Sequence, residues 1–385
     1  MDINQFHKAF KLQGKSFSSK VDLITFSEEI SLEVFLFMKE WFDEKLFIEV
    51  KTSGSTGIPK VIQLQKKLMV NSALATGEFF NLQENTTALV CMPVNFIAGK
   101  MMLVRALVLG WHIDVVTPTS NPLKDIDKNY HFSAMVPLQL NNSLKNLHKI
   151  KKLIVGGGAV SFELLTKIQH IKTDVFATYG MTETITHIAI KKLNNFDSVI
   201  SSTVDKSKNN IPSCAENDVK FRYAELVSAS HYKTLPNIKL ATDARGCLII
   251  NAPKISEEII LTNDLVELFS ETEFKWLGRF DSVINSGGIK LIPEQIEEKI
   301  AEIVSQRFFV TGIPDKLLGE KLILIVEDES SKSESLKVSI FAKIQQLTKL
   351  NKYEIPKEIY VLDYFIETET KKINRQQTLN LLNLY

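Results

Sequence analysis

The chain is poor in cysteine. It has three in 385 residues, Cys91, Cys214 and Cys247, far apart and with no CxxC pair. Neither a structural zinc site nor a disulfide framework is suggested, which fits a reducing compartment. No run approaches the roughly 18 apolar residues of a membrane span. The longest apolar stretches, such as Thr87–Val94, have strand length. The N-terminus lacks the apolar stretch of a secretion signal, so a cytoplasmic soluble chain is expected. An excess of one charge is missing too: 46 Lys and Arg against 45 Asp and Glu leave a net +1. That balance gives no electrostatic footprint for nucleic acid.

What is present is globular: 44% hydrophobic and 24% charged residues exclude a largely disordered or fibrous chain. At roughly 100–200 residues per domain, two or three domains are expected. Leu32–Phe47 reads as a helix with a wide buried face. Beyond it, strands at Ala88–Met92, Ile113–Thr117, Ser133–Val136, Leu153–Val155 and Val175–Thr178 alternate with helices at Val61–Phe80, Gly99–Leu109 and Ser161–Ile168. Such alternation predicts an α/β fold, a mostly parallel sheet flanked by helices. Asn194–Asn217 is polar and weakly periodic, a long surface loop, and Phe221–His231 adds a strand or short helix. Cys247–Asn251, Ile259–Thr262, Leu265–Phe269 and Phe274–Leu277 read as a separate β-rich subdomain.

After Gly278-Arg279 the pattern resets. Pro293 opens a helix, Phe308–Ile313 and Leu322–Val326 are strands, Ser335–Leu350 is a helix and Ile359–Leu362 a strand. A large N-terminal domain over 1–279 and a small α+β domain over 282–385 are expected, with a hinge at 280–281.

The strongest chemical signal is Thr52-Ser53-Gly54-Ser55-Thr56-Gly57-Ile58-Pro59-Lys60. Two glycines let the backbone turn its N–H groups toward an anion, three hydroxyls add donors, and Lys60 adds charge. It is not a Walker A loop, which needs four residues between its glycines and Ser or Thr after the Lys. A flexible Ser/Gly turn is the bland alternative.

TSGSTGIPK resembles the phosphate-binding signature of the adenylate-forming superfamily, which includes acyl- and aryl-CoA synthetases. Other signatures follow in the family's order. Gly156-Gly157-Gly158, ending an apolar strand, resembles the segment that lies against adenine. Tyr179-Gly180-Met181-Thr182-Glu183-Thr184 resembles the next motif, which implies stacking of Tyr179 on adenine, a Thr182 contact to the α-phosphate, and Mg²⁺ on Glu183. Thr56 of the loop is a second expected Mg²⁺ contact. Thr262-Asn263-Asp264 resembles the family's TGD, with Asn for Gly; it implies that Asp264 holds the ribose hydroxyls. Gly278-Arg279-Phe280-Asp281 implies a ribose or phosphate contact from Arg279 and a pivot at Asp281. Gly287-Gly288 resembles the turn at the pantetheine tunnel of CoA. Lys371-Lys372-Ile373-Asn374-Arg375 resembles the C-terminal motif whose Lys, here Lys372, offsets charge in the adenylation transition state; Lys371 replaces the usual Gly. Taken alone, Glu183 also reads as a solvated carboxylate and Lys372 as a surface lysine.

Within the superfamily, IEVKTSGSTGIPK, IAGKMMLVRAL, YGMTETITHIA and GRFDSVINSGGIKLIPEQIE are most similar to the o-succinylbenzoate–CoA ligases of menaquinone biosynthesis. That resemblance implies ATP, Mg²⁺ and CoA as cofactors, an aryl dicarboxylic acid as substrate, and Arg105 facing the acid's carboxylate. A guanidinium on an apolar helix needs an acidic partner or must snorkel to the surface. Lys100 is a second candidate. His187 faces the acid pocket or is a satisfied structural histidine. Phe96 stands where many family members have His. Measured against the family, the region before Thr52 is short, which puts one wall of the acid pocket in question. Delivery of the acyl group to a carrier protein, and a nucleotide-binding protein without turnover, are the competing readings; oligomeric state is left open, a homo-oligomer included.

Overall fold

The computed structural model describes residues 5–51, 61–195, 231–329, 333–368 and 372–382. The phosphate-loop residues Thr52, Ser53, Gly54, Ser55, Thr56, Gly57 and Lys60 lie outside it, as do Lys371, Cys214, most of the 194–217 loop and most of the 221–231 element.

Among the described residues, twelve strands make one sheet in the order β1-β5-β4-β6-β7-β8-β9-β10-β14-β13-β12-β11. The first half is parallel: β1 (Lys11–Leu12), β5 (His112–Val115), β4 (Thr87–Val90), β6 (Tyr130–Met135), β7 (Ile150–Val155) and β8 (Asp174–Gly180). From β8 onward every pairing is antiparallel: β9 (His187–Lys192), β10 (Tyr232–Thr234), β14 (Glu273–Arg279), β13 (Ile260–Ser270), β12 (Cys247–Asn251) and β11 (Lys239–Thr242). The expected β-rich subdomain is therefore no separate sheet. The three-residue β10 bonds to β9 on one side and β14 on the other and makes the two halves continuous.

The parallel half carries apolar residues on both faces, as a sheet covered by helices must. Along β4, Ala88 and Val90 join the core under α3 (Lys66–Phe80) and α4 (Ile97–Leu109). Leu89 and Cys91 point the other way, into the core beside α5 (Pro137–Ser143) and α6 (Phe162–Lys167). Helix α4 is buried almost all round, and Arg105 is among its buried residues.

Two local expectations fail for identifiable reasons. The helix expected over Leu32–Phe47 is α2 (Leu32–Trp41), which follows α1 (Lys20–Glu28). It stops because the Asp43 side chain accepts from Lys45 N at 2.9 Å, a turn that competes with further helix. The helix expected over Val61–Phe80 begins only at Lys66. Val61–Gln65 is strand β3, paired antiparallel with β2 (Phe47–Lys51) from Phe47↔Gln65 to Lys51↔Val61. This hairpin is the frame from which the 52–60 segment springs.

A 3₁₀ turn, Phe280–Ser282, follows the last residue of β14 and leads to a second sheet. Its order is β16 (Ile289–Leu291), β15 (Ile284–Ser286), β18 (Gly319–Glu327) and β17 (Phe308–Asp315), with β19 (Glu358–Leu362) parallel to β18. Along β18 the alternation is again strict. Leu322, Leu324 and Val326 enter the core under α7 (Pro293–Ile300) and α8 (Ser333–Gln346), and Ile323 and Ile325 the core beside α9 (Arg375–Asn380). Pro293 sits at the first turn of α7, as its missing N–H favours. No helix among the described residues is long and apolar enough to cross a membrane.

Candidate active site

Two polar clusters form where the parallel and antiparallel halves of the large sheet meet. In the first, Tyr179 Oη near the end of β8 donates to Asp264 Oδ2 at 2.6 Å, and Trp276 Nε1 donates to Asp264 Oδ1 at 3.2 Å. Strand register sets Asp264 opposite Arg279, whose Nη1 lies 3.7 Å from Asp264 Oδ1. The other edge of that guanidinium donates to both Asp281 oxygens at 3.0 Å. Strands β8 and β13 stand four places apart in the sheet order. In a flat sheet that would be about 19 Å, beyond the reach of one Tyr and one Asp side chain. The antiparallel half therefore curls back over the end of β8.

Burial, reinforced by the Asp264 carboxylate, pushes the Tyr179 phenol well above its ordinary pKa and keeps it a donor. The hydrogen bonds from Arg279 hold Asp281 below the usual carboxylate range. A carboxylate has about four acceptor positions, so Asp264 keeps capacity for further donors such as the vicinal hydroxyls of a ribose. Thr262-Asn263-Asp264 lies inside a strand. The two strands expected around it are a single strand, β13, and Asn263 lies within it, with its Oδ1 accepting from Arg245 Nη1 at 3.2 Å.

Gly156, Gly157 and Gly158 follow β7 on the same side of the sheet as the end of β8. Gly157 has φ +80° and is exposed, as is Gly158. A Cβ on Gly156 would lie 2.6 Å from Thr178 Oγ1, so the strand end is open because side chains are absent. Gly180 is tighter: a Cβ there would lie 2.2 Å from the Thr186 carbonyl oxygen and 2.6 Å from His187 Cα. Neither backbone atom can give way cheaply. Gly180→Ala is expected to cost about 1–3 kcal/mol, read as a lower midpoint of urea unfolding; an unchanged midpoint would show that β8 and β9 part here without strain.

Met181 leads into a 3₁₀ turn, Thr182–Thr184, held by Met181 N donating to Thr184 Oγ1 at 2.9 Å. Glu183 is exposed on this turn. Among the described residues no three His, Cys, Asp or Glu are grouped to hold a metal. A single exposed carboxylate fits Mg²⁺ that takes its other ligands from phosphate oxygens and water.

The second cluster surrounds Arg105, 1% exposed on α4. Its Nε donates to Thr76 Oγ1 of α3 at 3.3 Å, and its Nη2 donates to Thr186 Oγ1 at 3.4 Å and faces His187 Nδ1 at 3.5 Å. Among the described residues its Nη1 has only the thioether of Met102, at 3.7 Å. Among the described residues no carboxylate pairs with it. Burial lowers its pKa to about 9, so it stays cationic at neutral pH. Burial and then Arg105 hold His187 well below the ordinary histidine pKa, so its ring is neutral. Ser72 Oγ, one helical turn before Thr76, is buried with no hydrogen-bond partner among the described residues.

Lys100 does not join this cluster. Five residues before Arg105 places it on a different face of α4. There its Nζ donates to Glu40 Oε2 of α2 at 2.8 Å and lies over the Phe37 ring. Its charge is already compensated by that carboxylate.

Gly287 and Gly288, with φ of +60° and +80°, make the two-residue turn between β15 and β16 that only such residues close without strain. Lys372 lies between the paired residues Glu367 and Ile373; its backbone N donates to Thr368 Oγ1 at 3.2 Å. Its side chain is exposed, yet crowding by the chain lowers the ammonium's pKa below the usual lysine range. Three residues on, Arg375 Nη2 binds Glu297 of α7 at 2.8 Å. Among the described residues no hydrogen bond or ion pair joins Lys372 to the Tyr179–Asp264–Arg279 corner.

The sequence reading missed Thr76, Thr186, Trp276 and Glu40. The one signal for Thr76 was a pair of hydroxyls, Ser72 and Thr76, spaced i, i+4 on the helix face that α4 covers.

The AMP-binding enzyme family matches residues 50–215. An AMP-forming acyl-CoA synthetase/AMP-acid ligase II-like protein from Dyadobacter fermentans is 35% identical, over 91% of this chain and 93% of its own, with a TM-score of 0.55. A 2-succinylbenzoate–CoA ligase from Staphylococcus aureus is 25% identical over 337 residues, 85% of this chain but 65% of its own, so the chain spans just under two thirds of that relative. The o-succinylbenzoate CoA synthetase of Bacillus subtilis, solved with an acyl-adenylate intermediate, shares the fold at 22% identity over 86% of this chain and 68% of its own, with a TM-score of 0.66. With this likeness across nine tenths of two chains of similar extent, and with the motifs in order, the chain belongs to the AMP-binding, adenylate-forming enzyme family.

Proposed function

We propose that the chain is an acid–CoA ligase that adenylates a carboxylic acid with ATP and passes the acyl group to CoA. In the first half-reaction a carboxylate oxygen attacks the α-phosphorus of ATP and pyrophosphate leaves. In the second the CoA thiol attacks the acyl carbonyl and AMP leaves. The acid is o-succinylbenzoate, the step that menaquinone synthesis requires.

The residues divide the work by chemistry. Thr52–Gly57 and Lys60 cradle the β- and γ-phosphates. Tyr179 and Gly156–Gly158 border the adenine, Asp264 accepts from the ribose hydroxyls, and Arg279 lies beside the ribose. Thr182 contacts the α-phosphate. Glu183, with Thr56, would hold Mg²⁺, which would supply positive charge to offset that of the phosphates. Lys372 steadies the developing charge, and the Gly287-Gly288 turn borders the pantetheine channel. Residues 1–279 and 282–385 act as two domains, and Asp281 is the pivot that lets Lys372 approach the nucleotide for one half-reaction and withdraw for the other.

The reading of the acid rests on one observation. Arg105 is a buried cation that no carboxylate pairs with among the described residues. A dry cation is costly unless paired, and the carboxylate of a dicarboxylic substrate is the partner it fits. The decisive test is ATP–pyrophosphate exchange over a panel of aryl and alkyl acids, with CoA thioesters detected by mass. Exchange is expected with o-succinylbenzoate and to fall sharply for benzoate analogues lacking the second carboxylate. Exchange with monocarboxylates alone would overturn the acid assignment, and thioester absent despite exchange would favour delivery to a carrier protein.

A further inference from the structure

We infer that Thr76 and His187 are positioning residues for the Arg105 guanidinium. They hold it in one rotamer with the Nη1 edge turned free for an acid's carboxylate. The inference rests on the reading of Arg105 as the carboxylate anchor.

The argument is a proton count. Thr76 Oγ1 carries one proton, and it goes to the Ser72 carbonyl at 3.0 Å. The same oxygen accepts from Arg105 Nε at 3.3 Å. His187 Nε2 lies 3.4 Å from it and finds no proton left there to receive. Nε2 must therefore be the protonated nitrogen and donate to Thr76, which leaves Nδ1 as an acceptor. The other side agrees. Nδ1 faces Arg105 Nη2 at 3.5 Å and Thr186 Oγ1 at 3.5 Å, and that hydroxyl accepts from Nη2 at 3.4 Å. One assignment gives every donor on these two edges an acceptor. A cationic imidazolium would instead aim an N–H at the guanidinium.

The guanidinium is thus pinned along Nε and Nη2, and among the described residues its Nη1 has only a sulfur, a weak acceptor. Thr76 and His187 come from α3 and β9, 111 residues apart, so the pinning joins the helical layer to the sheet seam. A guanidinium fixed before the substrate arrives loses little freedom on binding, which is how such a residue gives both affinity and orientation.

The test uses the full chain and three readouts. Nitrogen-15 NMR of the imidazole should show His187 as the neutral Nε2–H tautomer. A neutral Nδ1–H tautomer, or a protonated ring at pH 7, would overturn the inference without need of any variant. Thr76→Val should raise KM for o-succinylbenzoate about tenfold while KM for ATP stays within twofold, and Thr76→Ser, which restores the hydroxyl, should recover most of the loss. Equal change for both substrates would mean a general packing role and would overturn it. In an Arg105→Met background, Thr76→Val should add less than twofold, because the group it positions is gone. A full, independent tenfold there would show that Thr76 acts by another route. If Arg105→Met leaves KM for the acid unchanged, the carboxylate anchor itself is wrong; if Arg105→Met raises it and Thr76→Val does not, the anchor stands and the positioning role falls.

Discussion

Lys372→Ala is expected to slow acyl-adenylate formation by about 10²–10³-fold, the usual loss when one group that meets developing charge is removed. Conversion of preformed acyl-adenylate to thioester should change less than about threefold, because in the proposed reaction the second step takes place after this lysine has withdrawn. The exposed position of Lys372 suits the test: its side chain makes no hydrogen bond or ion pair among the described residues, so truncation orphans no partner there. The lowered pKa adds a qualitative check. A lysine with a depressed pKa loses charge as pH rises through that value, so the adenylation rate of the unmodified enzyme should decline at alkaline pH before that of an enzyme relying on an ordinary lysine. Measured in single turnovers, equal loss in both half-reactions would remove Lys372 from the role assigned to it.

Arg105→Met should raise KM for the acid by roughly 10- to 150-fold, the equivalent of about 1.5–3 kcal/mol for one charge-assisted hydrogen-bonded contact. KM for ATP should be nearly unchanged. The same substitution should not lower the unfolding midpoint. It removes a buried cation that has no ion-pair partner among the described residues, a relief that offsets the loss of its donors to Thr76, Thr186 and His187. The combination is unusual, since most changes at a fully buried residue lower both stability and activity. A large drop in the midpoint with unchanged KM would assign Arg105 to structure and leave the acid without its anchor.

Much of the site was legible because it lies on motifs contiguous in sequence. Tyr179, Asp264, Arg279 and Asp281 were named from short strings, and the structure brings these four together through two strands in register. What could not be read was whatever needed a distant partner. Lys100 looked as available as Arg105 on the same helix, and only Glu40, 60 residues away, separates them. Val61–Gln65 carries a pattern that suits a helix or a strand, and the partner that decides is Phe47–Lys51 across the loop. The β-rich region seemed a unit of its own because the short β10 that joins it to the parallel half gives almost no periodic signal. Thr76 and Thr186 are common residues whose meaning depends on a side chain from another element.

The curl of the antiparallel half has a consequence for how the protein acquires activity. Tyr179 meets Asp264 across 85 residues of chain, His187 meets Arg105 across 82 and Thr76 across 111. Contacts of such sequence separation carry the largest loop-closure cost and are made late, after local helices and hairpins. A partly folded chain could hold most of its helices and its β2–β3 and β17–β18 pairs and still possess neither the nucleotide corner nor the pinned guanidinium. Ligand binding in this protein is thus a property of the completed topology.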